Sequence, residues 1–327
     1  LNYVNIRPIF TKPIATRDKW NDNEINQQSV ISPMVEYILD GKNFKSGFCE
    51  PALYIVATPI GNLADISIRA LKTLAGCDII ACEDSRNTGK LLKHFAIDTP
   101  MISYHEHNAG SVGPKLIKML QDNKSVTLVS DAGTPLISDP GYRLVSIARA
   151  KNIRVIPIPG ASAPLAGLVA CGLPTDNFLF AGFLPSKSIA RKKRLTELRD
   201  IPVTLIFFES PNRLLASLED MIAVFGGDRD AAICRELTKL HEEILDGNLQ
   251  ALADQYQDRK IRGEIVIIIG APRQEDRVDV DQLLRELLET MTVSRAAAEA
   301  ARLTGKTKRE FYQRALQLNE ETNAGTT

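Results

Sequence analysis

The stretch Val126-Thr-Leu-Val-Ser-Asp-Ala-Gly-Thr-Pro-Leu-Ile-Ser-Asp-Pro-Gly-Tyr142 decides the fold. An apolar run, Val126–Ser130, reads as a buried strand. A loop of small residues follows, longer than a plain connection needs, and Tyr142–Ala150 then takes up helical spacing. Ala132 and Gly133 leave room for a ligand to lie against backbone, and Asp139 before Pro140 reads as a helix N-cap. Further out, Leu53–Ala57, Ile79–Cys82 and Val155–Ile158 read as buried strands, while Ile66–Leu74 and Lys115–Leu120 are amphipathic helices. Strand and helix in alternation imply a largely parallel α/β sheet, whose ligands bind beyond the carboxyl ends of its strands.

A second α/β unit starts near Asp176, with strands Phe178–Ala181, Val203–Phe208, Ala231–Arg235 and Ile265–Ile269 and helices Ile189–Leu198 and Arg213–Val224. A small helical tail follows. Val280–Met291 is its first helix, Ser294 can cap an alanine-rich second, and Thr307 to Glu310 forms a capping box for a third, in the manner of a helix-turn-helix. The predicted organisation is therefore 1–50, a poorly ordered extension or an over-extended gene start; 51–175 and 176–270, two α/β domains; 271–279, a linker; and 280–327, helical.

Bulk properties narrow the function classes. With 40 basic and 40 acidic side chains there is no global sign of nucleic acid, so a basic footprint must be local. Two stretches supply one. Ser186 to Arg199 holds six basic residues and one acidic; Met291 to Leu318 holds six and two, with Phe311 (expected in the core) and Tyr312 interleaved. Five scattered cysteines without a CxxC suggest a reduced, cytoplasmic protein, and no apolar run is long enough to span a bilayer. His105 and His107 have a metal-like look but no third ligand in sequence, so no metal is expected.

Strand ends carry the candidate chemistry. Thr58-Pro-Ile-Gly-Asn-Leu63 is on its own an ordinary strand-to-helix turn. Cys82-Glu-Asp-Ser-Arg86 offers two carboxylates, although Asp84 or Ser85 could simply cap a helix. Ser162 could meet a ligand or cap the next helix. Phe208-Glu-Ser-Pro-Asn-Arg213 and the run Arg235 to Glu243 place further charge after apolar strands. A hydroxyl nucleophile needs a hydrogen-bond acceptor, and Glu83, Asp84, Glu209 and Glu236 are all eligible. Glu83 or Asp84 is the expected catalytic acceptor. Arg86, Arg213 and Lys239 are expected to hold phosphates, and the run Arg191, Lys192, Lys193 and Arg194 to track RNA.

In this order the loops carry a specific resemblance. Ala57-Thr-Pro-Ile-Gly-Asn-Leu63, Cys82-Glu-Asp-Ser-Arg86, Tyr104-His-Glu-His-Asn108, Ser130 to Gly141, Pro159-Gly-Ala-Ser-Ala163, Phe208-Glu-Ser-Pro211, Arg235-Glu-Leu-Thr-Lys239 and Gly263-Glu264 resemble the ribosomal RNA small subunit methyltransferase I family, a branch of the tetrapyrrole methylase superfamily. The match runs from about Leu53 to Leu318. Asn212 departs from it where a histidine is expected, as do Ser186 and Lys187 where a basic pair is expected.

The resemblance implies two α/β domains with S-adenosyl-L-methionine in the cleft between them. Its implied contacts are Ile60, Ala132, Gly133, Thr134, Ile137, Ser162, Ala163, Phe208, Leu237 and Glu264. It also implies a homodimer, a helical tail that grips RNA, and 2′-O-methylation of a cytidine in the decoding region of 16S ribosomal RNA, within the small ribosomal subunit. The rival readings are a C-methyltransferase of tetrapyrroles with the same fold, and a non-catalytic RNA-binding factor.

Overall fold

The computed structural model describes residues 34–272, 280–304 and 307–324. A hairpin comes first, β1 (Val35–Leu39) paired antiparallel with β2 (Lys42–Ser46). This corrects the expectation of poor order across 1–50, of which residues 1–33 lie outside the described residues. The physical reason is local. Asp40 and Gly41 both take positive φ (49° and 72°), the two-residue turn whose twist matches a hairpin. Tyr37 is then buried in the first domain's core, and the Ile38 N–H donates to the Phe95 carbonyl at 2.8 Å.

The first sheet is wholly parallel. Its strands are β3 (Leu53–Val56), β4 (Ile79–Cys82), β5 (Met101–Ser103), β6 (Val126–Val129) and β7 (Val155–Ile158), in the order β5-β4-β6-β3-β7. Helices α1 (Ile68–Gly76), α2 (Ser85–His94), α3 (Ala109–Gln121) and α4 (Tyr142–Ala150) connect them, burying Leu71, Leu74, Leu92, Leu116 and Leu144 against the sheet. Chain reversal at β6–β3 leaves the carboxyl ends of β3, β4, β6 and β7 facing one crevice, the place such sheets bind ligands.

Helix α5 (Ala163–Ala170) crosses to the second sheet. A Cβ at Gly167 would stand 3.2 Å from Ile268 and 3.5 Å from Cys234, so glycine allows the close crossing. The second sheet contains β8 (Phe178–Phe183), β9 (Thr204–Glu209), β10 (Asp230–Arg235), β11 (Glu243–Asn248) and β12 (Ile265–Ile269), ordered β11-β10-β12-β9-β8. Only the β8–β9 pair is parallel. Helices α6 (Ser188–Leu198), α7 (Leu214–Phe225) and α8 (Leu249–Tyr256) pack on it. Ile60, Leu168, Ile206, Cys234, Leu237 and Val266 form one apolar cluster joining the two sheets.

The tail folds as α9 (Val280–Thr290), α10 (Val293–Thr304) and α11 (Lys308–Ala324), closing on Leu284, Ala300, Phe311 and Leu318. The Thr307 N–H reaches the Glu310 carboxylate at 3.4 Å, one arm of the expected capping box. Ser294, expected as a cap, lies within α10. The Thr292 carbonyl accepts the first helical N–H groups there, from Arg295 and Ala296. The Arg199 guanidinium donates to the Thr304 carbonyl at 2.6 Å and ties this unit to the end of α6. Of the expected linker, residues 273–279 lie outside the described residues.

Candidate active site

A cavity of about 450 Å³ opens where the strand ends of the two sheets meet. Ile60, Ala132, Gly133, Thr134, Ile137, Ser162, Ala163, Phe208, Leu237 and Glu264 all line it. The long loop shapes one wall. The Thr58 and Gly133 backbones exchange hydrogen bonds of 2.8 and 3.0 Å, pinning the loop after β6 to the loop after β3. Gly133 has φ 78°, and a Cβ there would meet Ile60 at 3.3 Å. Leu136 and Ser138 also take positive φ, 73° and 65°. Such residues cost about 1 kcal/mol or more each and persist where surrounding structure imposes them. Ser162 occupies the N-cap position of α5 but makes no side-chain capping bond, so its hydroxyl faces the cavity uncommitted. Ile60, Leu237, Val266 and Phe208 give the cavity an apolar surface.

The charged residues in the lining are Glu83, Asp131, Asp139, Glu209 and Glu264, all acidic. They differ in how they are satisfied. Glu209 accepts from the Ser210 N–H at 2.7 Å and the Ser217 hydroxyl at 2.6 Å, and lies 3.2 Å from the Arg213 guanidinium. Asp131 accepts from the Asp84 N–H and the Asn87 amide. Glu264 takes the Lys239 ammonium at 3.0 Å. Among the described residues no lysine or arginine is bonded to Glu83. Burial pushes its carboxyl up, the negative charges of Asp139 and Asp131 push it further, and the Asp131 N–H only partly offsets them.

Asp84 does not line the cavity. It N-caps α2, accepting from the Arg86 N–H at 2.8 Å, and pairs with the Arg86 guanidinium at 2.6 Å, which holds its carboxyl down at about 2. Glu236 is also outside the lining. Its carboxylate accepts from Lys239 at 2.7 Å and from the Glu264 N–H at 3.0 Å. Of the four eligible acceptors, Glu83 is thus the one both exposed to the cavity and unpaired.

One expected substrate contact needs correction, and two others are found in ion pairs. Arg191 is 3% exposed. Its Nε donates to Asp220 at 2.7 Å and its other nitrogens to the carbonyls of Ser186 and Ala216, so it holds α6 against α7 and cannot track RNA. Arg213 donates to the Leu184 carbonyl at 2.6 Å besides pairing with Glu209. Lys239 bridges Glu236 and Glu264. Lys192, Lys193, Arg194 and Arg86 remain on the surface, Lys192 also reaching Asp220 at 3.3 Å.

Asp139 was expected to cap α4, but Gly141 (φ 138°) is the cap residue, and Asp139 faces the cavity instead. Among the charged residues of the lining, Asp131 and Asp139 are the ones that sequence reasoning did not place in the site. The rings of His105 and His107 lie 6.0 Å apart, and no group of three or more metal-ligating side chains occurs among the described residues.

Comparison with known proteins gives the following. The profile of the tetrapyrrole (corrin/porphyrin) methylases matches residues 52–253, and that of the RsmI C-terminal HTH domain matches residues 274–319. A ribosomal RNA small subunit methyltransferase I of Mesorhizobium japonicum is 56% identical over 279 residues, covering 84% of this chain and 95% of that protein. The Pseudomonas aeruginosa protein of the same name is 47% identical, over 81% of this chain and 96% of its own length. Among solved structures, a cobalt precorrin-4 methyltransferase aligns with TM-score 0.53 at 16% identity, over 67% of this chain and 94% of that one. A diphthine synthase aligns with TM-score 0.54, also at 16%, over 67% and 89%.

Proposed function

Because the chain belongs to the tetrapyrrole methylase family, and within it to the ribosomal RNA small subunit methyltransferases I, we propose that it methylates the ribose 2′-hydroxyl of a cytidine in the decoding region of 16S ribosomal RNA. At the coarser level it is a ribosomal RNA methyltransferase, and its cofactor is S-adenosylmethionine. The finer reading takes the substrate as the small ribosomal subunit and the enzyme as a cytoplasmic homodimer. No helix among the described residues is long and apolar enough to cross a membrane.

The observation that carries the reading is the make-up of the cavity. Its size lies within the range for small-molecule sites. It offers a backbone cradle at Gly133, a free hydroxyl at Ser162, and an apolar wall suited to a purine. All the charged residues in its lining are acidic, which favours a ligand bearing positive charge. S-adenosylmethionine, with its sulfonium and ammonium groups, fits that description and supplies an already activated methyl group. The residues proposed to hold it are Ile60, Ala132, Gly133, Thr134, Ile137, Ser162, Ala163, Phe208, Leu237 and Glu264.

The protein's task is then to align the attacking oxygen, which can contribute on the order of 7–11 kcal/mol in well-oriented systems. Glu83 is the acceptor assigned to orient the hydroxyl and draw its proton. Arg86, Lys192, Lys193 and Arg194 are assigned to phosphates, together with the exposed Arg295, Lys308 and Arg309 on the tail, where Tyr312 is also exposed.

The test is transfer of labelled methyl to purified small subunits lacking the modification, followed by identification of the nucleoside. Labelled 2′-O-methylcytidine is expected. Label on a base carbon or nitrogen, or transfer only to a tetrapyrrole, would reject the proposal.

A further inference from the structure

The fold leaves Asp139 without a structural duty. Its place before Pro140 is that of a helix cap, yet α4 begins at Tyr142 with Gly141 as its cap residue. The left-handed Leu136 and Ser138 stand just before it, so strained backbone turns the chain to bring Asp139 into the cavity wall. The nearby Ser130 hydroxyl donates to the Ala132 carbonyl at 3.3 Å.

The charged groups facing it come from every element around the cavity: Glu83 after β4, Asp131 after β6, Glu209 at the end of β9 and Glu264 before β12. Arg213 and Lys239 neutralise Glu209 and Glu264, and N–H donors hold Asp131. Glu83 and Asp139 are left as two cavity-facing carboxylates with no lysine or arginine bonded to either among the described residues.

We propose that Asp139 is a second catalytic carboxylate, which shares with Glu83 the proton taken from the substrate hydroxyl. This rests on the methyltransferase reading above. In the step the hydroxyl O–H bond breaks and its proton passes to the Glu83–Asp139 pair. The oxygen forms the new O–CH3 bond, and the electron pair of the broken methyl–sulfur bond stays on sulfur. Sulfonium, alcohol and carboxylate thus become thioether, ether and carboxylic acid, with charge balanced.

Burial and neighbouring negative charge push both carboxyls above their ordinary range, as suits groups that must accept a proton near neutrality. A raised folded-state pKa stabilises the protein below the ordinary carboxylate range, and that contribution is lost as pH rises through the raised value. At neutral pH the pair therefore costs stability. A structural carboxylate would do the opposite.

The experiment uses the full chain as wild type, Asp139→Asn and Glu83→Gln. It measures thermal midpoints from pH 4 to 8, affinity for S-adenosylmethionine, and the pH profile of methyl transfer to small subunits. Asp139→Asn is expected to melt at or above the wild-type temperature at pH 7.5, with the difference vanishing toward pH 4. Cofactor affinity should stay within about threefold, while transfer falls at least about 100-fold, the lower end of the range for general-base groups, and the acid limb of its profile moves. A lowered midpoint at pH 7.5, or transfer at the wild-type rate, overturns the assignment. A wild type that binds the cofactor yet transfers nothing overturns the methyltransferase reading itself, and this role with it.

Discussion

Two strand ends look alike in sequence and behave oppositely in the structure. Cys82-Glu-Asp-Ser-Arg86 and Phe208-Glu-Ser-Pro-Asn-Arg213 both put a glutamate at the end of an apolar strand with an arginine just beyond. After β9, Arg213 turns back on Glu209, whose side chain is 0% exposed and fully bonded. After β4, Asp84 intervenes. As the cap of α2 it takes both the Arg86 N–H and the Arg86 guanidinium, and Glu83 is left unpaired at the cavity. A carboxylate at a strand end is available for chemistry only when no neighbour has satisfied it, and here one intervening residue makes that difference.

The comparison can be pressed from the satisfied side first. Arg191→Ala is the extreme case, because Arg191 and Asp220 have side chains only 3% and 6% exposed. Removing the cation leaves a buried carboxylate served by the half-exposed Lys192, and should cost about 3–5 kcal/mol in urea unfolding. Arg213→Ala should cost less, about 2 kcal/mol, because its guanidinium is partly in water and its pairing is discounted accordingly. Transfer per folded Arg213→Ala molecule should stay within severalfold of wild type. If that variant kept full stability and lost transfer, the two strand ends would have exchanged roles. The smallest effect on stability is expected for Lys193→Ala with Arg194→Ala, both exposed. Melting should not change measurably, while RNA binding weakens and its salt dependence falls by a slope of roughly 1–2.

Much of this was legible in the sequence. Strands β4 and β12 coincide with the apolar runs read from sequence, because strands buried on both faces need continuous hydrophobicity; the half-buried edge strand β7 coincides with its run as well. The residues expected around the cofactor converge on one cavity, since a parallel sheet gathers its carboxyl-end loops along one edge. Other features failed for identifiable reasons. Arg191 shares its face with Leu195 and Leu198 at helical spacing, a signal of burial that the basic run around it masks. Asp40-Gly41 is a hairpin turn signal set among polar residues. Strand β11 carries Glu243, Asp246 and Gly247, and becomes a strand only because β10 supplies its pairing partner. Asp139 before Pro140 satisfied every local rule for a cap, and only the tertiary path of the strained loop sends it into the cavity.

Single-turnover methyl transfer by Glu83→Gln bears most directly on the central claim, that the unpaired carboxylate at the end of β4 acts in the cavity. The variant should fold and bind S-adenosylmethionine as wild type does, and transfer methyl to small subunits at least about 100-fold more slowly, as loss of a general base predicts. Transfer at the wild-type rate by the folded, cofactor-bound variant would contradict the account.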